Sequence, residues 1–221
     1  MNWKMKSFSW VIISPLLLIN LSCNQTKTGD SRVDKLPYYE EATFTPHWYE
    51  EEIPAGFHQI ADFELVNQEG EVITADNFEN KIYVADFFFT ICPGICPKMT
   101  SNMAVLQEAF LEDDDVLLIS HSVMPDYDSP DILKEYAEEK GVKSGKWHLV
   151  TGQREMIYDL GRNHYFVEEN LGLEKSADDF LHTENFVLID KNKRIRGIYN
   201  GLNNSSIQQL IADIELLKKE S

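Results

Sequence analysis

Two cysteines, each followed by proline, are the residues of this chain whose type and spacing most directly suggest chemistry. Cys92 and Cys96 lie in the segment 90–100, which reads Thr-Ile-Cys-Pro-Gly-Ile-Cys-Pro-Lys-Met-Thr. Paired thiolates can exchange with disulfides or bind a soft metal ion. A structural disulfide is the alternative, but it would close only three intervening residues, and the stability gained from a disulfide grows with loop length. The spacing therefore favours a redox pair or a metal site.

The residues on either side of the cysteines predict a strand followed by a helix. The run 82–89 is almost entirely apolar, which is typical of a strand buried on both faces. Pro97 suits the first turn of a helix. An apolar stripe at helical spacing follows it: Met99, Met103, Leu106 and Phe110. The thiols are therefore predicted in a strand-to-helix loop, where the N-terminus of the helix favours the thiolate.

The rest of the chain predicts an alternation of strands and helices around this loop. Strands are predicted on either side of a hairpin turn at 67–70, and at 116–119, 147–150, 186–189 and 195–199. Helices are predicted between Ser129-Pro130 and Gly141, at 154–160, and after a capping box formed by Ser205 and Gln208. This order predicts an α/β domain with a thioredoxin-like fold, in which helices flank a central mixed β-sheet and a hairpin forms an N-terminal extension.

Length and net charge restrict the number of domains and the kind of partner. The 221 residues suffice for one domain with a substantial core. The formal net charge of −17 argues against binding to nucleic acid and against adsorption to anionic lipid. Residues 24–56 begin with polar side chains and predict a tether followed by an extended segment lying on the domain. Residues 57–221 predict the folded domain itself.

The first residues predict a leader that places the domain outside the cytoplasm. Lys4 and Lys6 precede sixteen mostly apolar positions, 7–22, which are fewer than the ~20 that a spanning helix needs. The leader ends at Cys23, and a simple uncleaved anchor or an ordinary signal peptide is the alternative. Outside the cytoplasm, Cys92 and Cys96 would oxidise to a disulfide unless they are kept reduced.

The segment 90–100 resembles the T-x-C-P-x-x-C-P-x-M-T signature of the SCO/SenC family of copper-handling proteins, which have a thioredoxin-like fold. The resemblance covers about residues 57–217 and includes the segment 147–152, which is similar to the W-x-x-x-T-G stretch of that family. One departure is Met124-Pro125-Asp126, where many relatives have Asp-Pro-Glu. The ending Leu21-Ser22-Cys23 resembles a bacterial lipobox, which implies that residues 1–23 are a lipoprotein signal peptide and that Cys23 is lipidated.

One of the six histidines matches a motif of the same family. His182 lies shortly before the predicted strand 186–189 and corresponds to the histidine of the family's H-(S/T) motif. The resemblance implies that His182 completes a copper site with Cys92 and Cys96. His121, at the end of another predicted strand, is a second candidate, for which a structural role is the expectation. By residue type alone, zinc could use the same three ligands with a water molecule.

The resemblance implies a copper chaperone tethered to a bacterial membrane, facing the periplasm. It would bind Cu(I) or Cu(II) and serve the dinuclear copper centre in the copper-containing subunit of cytochrome c oxidase, or another copper recipient. A function of a different class is a thiol–disulfide oxidoreductase that cycles Cys92 and Cys96. Such an enzyme needs no third ligand, so His182 distinguishes the two. A peroxide-reducing enzyme of this fold fits less well, because Pro93 directly follows Cys92.

Overall fold

Seven strands form one mixed sheet in the computed structural model, which describes Met1 and residues 29–50, 52–167, 181 and 183–220. The strands are β1 (Glu64–Asn67), β2 (Val72–Thr74), β3 (Ile82–Phe88), β4 (Val116–Ser122), β5 (Trp147–Thr151), β6 (Asn185–Ile189) and β7 (Ile195–Asn200). The helices are α1 (Cys96–Ala109), α2 (Pro130–Lys140), α3 (Arg154–Asp159) and α4 (Asn204–Glu220). The strand order across the sheet is β2-β1-β5-β4-β3-β6-β7. Strand β4 is parallel to β3 and β5, and the other neighbouring pairs are antiparallel.

The sheet separates two buried clusters, one on each of its faces. Consecutive residues of a strand point to opposite faces, and both central strands, β3 and β4, are buried along their whole length. Helices α1, α2 and α4 cover one face, where the first cluster includes Phe88, Cys96 and Trp147. The second cluster, on the other face, includes Phe87 and residues of α3 such as Ile157. A mixed sheet with helices on both faces confirms the predicted thioredoxin-like α/β class.

Local sequence features explain which side of α1 is buried and where α2 begins and ends. The apolar stripe of α1 lies in the first cluster as predicted: Met99, Met103, Leu106 and Phe110. At the start of α2, the Ser129 hydroxyl accepts a hydrogen bond from the Ile132 N–H at 3.4 Å. Gly141 ends α2 with a φ of 72°, a left-handed conformation that glycine adopts without steric cost.

The capping box predicted at the start of the last helix is wrong. Helix α4 begins at Asn204, and Oδ1 of Asn203 accepts hydrogen bonds from the N–H groups of Ser205 and Ser206 at 2.8 and 3.3 Å. Asparagine caps a helix as well as serine does, so the cap lies at Asn203. Apolar residues at helical spacing along α4 are buried in the first cluster: Ile207, Leu210, Ile211, Ile214 and Leu217. Within the described ranges, no helix has the length and apolarity that crossing a bilayer requires.

Part of the segment that precedes the hairpin packs against the domain. Leu36 is buried in the first cluster, and Tyr39 forms an isolated bridge with β7. Arg196 is itself buried, and its guanidinium donates hydrogen bonds to the carbonyl oxygens of Leu36 and Pro37 and to the carboxylate of Glu220. This stretch of chain therefore belongs to the folded body.

Candidate metal centre

The cysteine loop connects the end of β3 to the start of α1. Cys92 follows a turn in which its N–H donates to the Phe89 carbonyl oxygen at 3.3 Å. Cys96 is the first residue of α1, whose first turn is closed by the Met99 N–H donating to the Ile95 carbonyl oxygen at 3.1 Å. Both residues are free thiols; Cys92 is partly exposed, whereas Cys96 is only 5% exposed. Solvent therefore reaches one sulfur, and the core covers the other.

The pKa values of the two thiols are displaced in opposite directions. Burial by itself would raise the pKa of Cys92, but hydrogen bonds from the Cys96 thiol and from the N–H groups of Cys96, Gly94 and Ile95 outweigh it and lower that pKa. Burial, followed by the hydrogen bond to Cys92, raises the pKa of Cys96 to about 12. The exposed sulfur is therefore the better nucleophile and metal donor, and Cys96 holds a proton at neutral pH.

A buried carboxylate, that of Asp128, ties the cysteine loop to the segment that follows β4. Its oxygens accept hydrogen bonds from the Thr90 N–H at 3.2 Å and from the Thr90 hydroxyl at 2.5 Å. They also accept one from the Ser122 hydroxyl at 2.5 Å, and Asp128 is 0% exposed. Hydrogen bonds to a charged acceptor are stronger than neutral ones. Asp128 therefore restricts the position of the backbone two residues before Cys92.

The family pattern singles out Met124, because many relatives have aspartate at that position. Sequence reasoning missed Asp128 as the acidic residue that contacts the loop. The structure supplies an acidic contact to the loop from four residues further along the chain. A turn places Asp128 there, because its N–H donates to the Met124 carbonyl oxygen at 2.9 Å. The sequence feature that could have identified Asp128 is its position directly before the N-cap residue Ser129. That signal is weak, since aspartate is also common in exposed turns.

A second buried carboxylate, that of Asp86, lies in β3 on the same face of the sheet as Phe88. Ser120 donates a hydrogen bond to it, and Trp147 Nε1 donates to the Ser120 hydroxyl at 2.8 Å. Burial raises the pKa of Asp86 to about 7, and the Ser120 hydrogen bond partly opposes that shift. The charge of Asp86 contributes to the raised pKa of Cys96. Sequence reasoning missed Asp86, although a carboxylate in an apolar strand is an unusual residue that could have identified it.

His121, the second histidine candidate, lies on the other face of the sheet. Its ring stacks on Phe87 with centroids 4.7 Å apart, and its Nδ1 lies 3.3 Å from the Asp86 carbonyl oxygen. Burial lowers the pKa of His121 to about 4, so the ring is neutral at neutral pH. Among the described residues, its Nε2 has no hydrogen-bond partner. Because Phe87 and Cys96 belong to different clusters, the sheet separates His121 from the cysteines. This placement agrees with the expected structural role.

The family model of SCO1/SenC matches residues 52–219 of the chain. The chain belongs to the SCO1/SenC family. A SCO1/SenC family lipoprotein from Bacillus anthracis str. Ames is 32% identical, with 73% of this chain and 95% of that one covered and a TM-score of 0.63. BsSco, a member of the Sco family of cytochrome c oxidase assembly proteins with a disulfide switch, is 26% identical, with 74% and 95% covered and a TM-score of 0.62. ScoI from Arabidopsis thaliana, solved with copper bound, shares the fold at 23% identity, with 73% and 98% covered and a TM-score of 0.56.

The third predicted ligand of this SCO1/SenC chain, His182, lies outside the described residues. The residue before it, Leu181, is buried in the same cluster as Phe87. Strand β6 runs antiparallel to β3, so the start of β6 lies at the end of the sheet where β3 leads into the cysteine loop. Within the described ranges, no group of three His, Cys, Asp or Glu side chains could hold a metal ion. The structure brings Cys92 and Cys96 together, and ligation by His182 stays a prediction.

Proposed function

We propose that this SCO1/SenC protein is a copper chaperone that binds one copper ion through Cys92, Cys96 and His182. It passes the ion to the dinuclear copper centre of cytochrome c oxidase. The observation that supports this most strongly is a pair of adjacent free thiols in one loop, of which the partly exposed one is stabilised as a thiolate. Relatives include a cytochrome c oxidase assembly protein and a protein of the same fold with copper bound.

The donor set fits copper as a cargo that must be both held and released. Thiolates favour Cu(I), and imidazole suits both copper oxidation states. Because Cys92 is partly exposed, a ligand of the recipient can reach the ion before a donor of the chaperone leaves. Cys96 is covered by the core and retains the ion during that exchange. Zinc would accept the same donors with a water molecule, and the copper-bound relative favours copper.

A thiol–disulfide oxidoreductase is the second candidate, and the opposite pKa shifts of the two thiols favour it. In that reaction the Cys92 thiolate attacks a substrate disulfide and releases one substrate thiolate. Cys96 then loses its proton and attacks the mixed disulfide, which releases the second substrate thiolate. The substrate gains two electrons, and Cys92 and Cys96 become a disulfide. No step in this sequence uses a histidine.

Replacing His182 by alanine tests which of the two functions is correct. Cu(I) can remain two-coordinate on the thiolates of Cys92 and Cys96, so its affinity is expected to fall only in part. Cu(II) prefers more ligands with nitrogen among them, so its affinity should fall further, with a changed thiolate-to-copper charge-transfer band. Disulfide reductase activity should persist, because both thiols remain. The measurement is a titration of the reduced protein with each copper state.

His47→Ala is the matched control, because His47 lies on the N-terminal segment and its side chain is 32% exposed. His121→Ala is unsuitable, since it would open a cavity in the second cluster. The control should bind both copper states as the wild type does. If His182→Ala retains the Cu(II) affinity and spectrum of the wild type, His182 is not a ligand and the oxidoreductase becomes the preferred function.

We also propose that a lipid on Cys23 tethers the domain to the outer side of a membrane. The relative from Bacillus anthracis is a lipoprotein, and Leu21-Ser22-Cys23 follows an apolar run. Cys23→Ser should abolish incorporation of a labelled fatty acid into the protein, with Cys92→Ser as the control that leaves labelling intact. Labelling that persists in Cys23→Ser would show that the lipid is absent from this cysteine.

A further inference from the structure

Exposed apolar side chains lie in the cysteine loop and in the segment that is hydrogen-bonded to it. Ile91 is 50% exposed, Ile95 is 39% exposed and Tyr127 is 45% exposed. The first two directly precede Cys92 and Cys96 in the chain. Tyr127 precedes Asp128, whose carboxylate accepts hydrogen bonds from Thr90 in the same loop. We term these three side chains the apolar rim. They come from two segments that are held together by the hydrogen bonds between Thr90 and Asp128.

The loop is also free of charge, although the chain as a whole is highly charged. Lys, Arg, Asp and Glu make up 26% of the sequence, yet residues 89–97 contain none of them. Along the described chain, the exposed charged residues Lys98 and Asp126 follow the loop and precede Tyr127, respectively. An uncharged, apolar centre with a polar edge and an exposed aromatic residue is the composition of the core of a protein–protein interface.

The chemistry of the proposed function requires a protein to cover this surface. A recipient can take copper from Cys92 only if one of its own ligands comes within bonding distance of an ion held at that sulfur. Cys96 is 5% exposed, so the approach must be from the side of Cys92. A protein that presents its ligands there contacts Ile91 and the residues beside it, whereas a small chelator does not need to.

The described part of the N-terminal segment contacts the domain away from the apolar rim. Lys35 and Tyr38 line a cavity together with Ile82 and Asp190, which lie at the start of β3 and the end of β6. The cysteine loop follows the other end of β3, seven residues away. At about 3.3 Å per residue, the two ends of the strand are roughly 20 Å apart. The part of the N-terminal segment that lines this cavity therefore lies far from the rim.

On these grounds we infer that the apolar rim of Ile91, Ile95 and Tyr127 is the docking surface for the protein that receives copper, and that this recipient presents its copper ligands within an uncharged, apolar surface. The inference rests on the proposed function and adds the surface through which that function operates. The rim determines how fast copper moves to a protein and has no part in how tightly copper is held.

The test uses the double variant Ile91→Ser/Tyr127→Ser of the full chain, loaded with Cu(I). The acceptors are the apo copper-binding domain of the oxidase subunit from the same organism and, separately, a small Cu(I) chelator. Transfer to the protein domain is expected to slow by at least about tenfold, because buried apolar and aromatic anchors dominate interface energies. Transfer to the chelator and the Cu(I) affinity should match the wild type. The control Trp48→Ser/Val105→Ser removes two other exposed side chains, which are 55% and 42% exposed, and should change neither rate.

The outcomes separate this inference from the function on which it rests. If the wild type binds no copper, the proposed function fails and the inference fails with it. If the wild type transfers copper to the protein domain and the rim variant does so at the same rate, the inference alone is wrong. The inference alone is also overturned if the variant slows transfer to the chelator equally. If the wild type holds copper but passes none to the domain, the proposed function fails and the inference fails with it. A rim-dependent dimer seen by sedimentation would assign the surface to a second copy of this chain instead.

Discussion

Replacing Cys96 by serine is expected to lower the Cu(I) affinity of the reduced protein by more than about 100-fold, the upper range for losing a residue that only supports a ligand. The substitution removes one of two proposed soft donors and keeps a side chain of similar size in the first cluster. Competition with a chelator of known Cu(I) affinity measures the change. Cys92→Ser should give a loss of similar size, and unchanged affinity in either variant would exclude the two-thiolate site.

The pH dependence of the Cu(I) affinity is expected to show whether the Cys96 thiolate is a donor. Burial raises the pKa of Cys96 to about 12, so a Cys96 donor would have to lose its proton when copper binds at neutral pH. At pH values below that pKa, the fraction of Cys96 in the thiolate form increases about tenfold for each unit by which the pH is raised. The Cu(I) affinity of the wild type should therefore rise by about tenfold per pH unit. Cys92 adds a further rise only below its own lowered pKa. In Cys96→Ser the contribution of Cys96 to this dependence should be lost, so the affinity should rise less steeply with pH than in the wild type. An equal pH dependence in the wild type and the variant would contradict this account.

Asp128→Ala should lower the free energy of unfolding by roughly 3 kcal/mol, because it leaves three hydrogen-bond donors at the site without their acceptor. Two of these donors belong to Thr90 and one to Ser122. Urea unfolding of the reduced, metal-free protein measures the change. Asp126→Ala is the matched control, because Asp126 is an exposed aspartate two residues away and should change stability by less than about 0.5 kcal/mol. Equal unfolding midpoints for the two variants would show that Asp128 does not hold the loop.

The sequence alone was sufficient to predict the strands and helices whose formation depends on residues close together in the chain. The apolar run before Cys92 and the apolar stripe after Cys96 predicted β3 and α1, because periodicity reports which faces of an element are buried. Ser129 and Gly141 predicted the two ends of α2, since capping uses hydrogen bonds and backbone angles within a few residues. A local pattern can also mislead, as the capping box at Ser205 shows. Asn203 supplied an equally good acceptor two residues earlier.

The tertiary structure decided which distant residues meet the cysteine loop. Asp128 contacts Thr90 across 38 residues, and Arg196 reaches the Leu36 carbonyl oxygen across 160. His121 is a plausible copper ligand by residue type, but the sheet places it on the face opposite to Cys96. Periodicity within one strand shows that its side chains alternate between the two faces of the sheet. Whether a side chain shares a face with a residue of another element depends on how the strands pair. That pairing arises from the packing of the whole chain, so the supports of the cysteine loop became visible only in the folded protein.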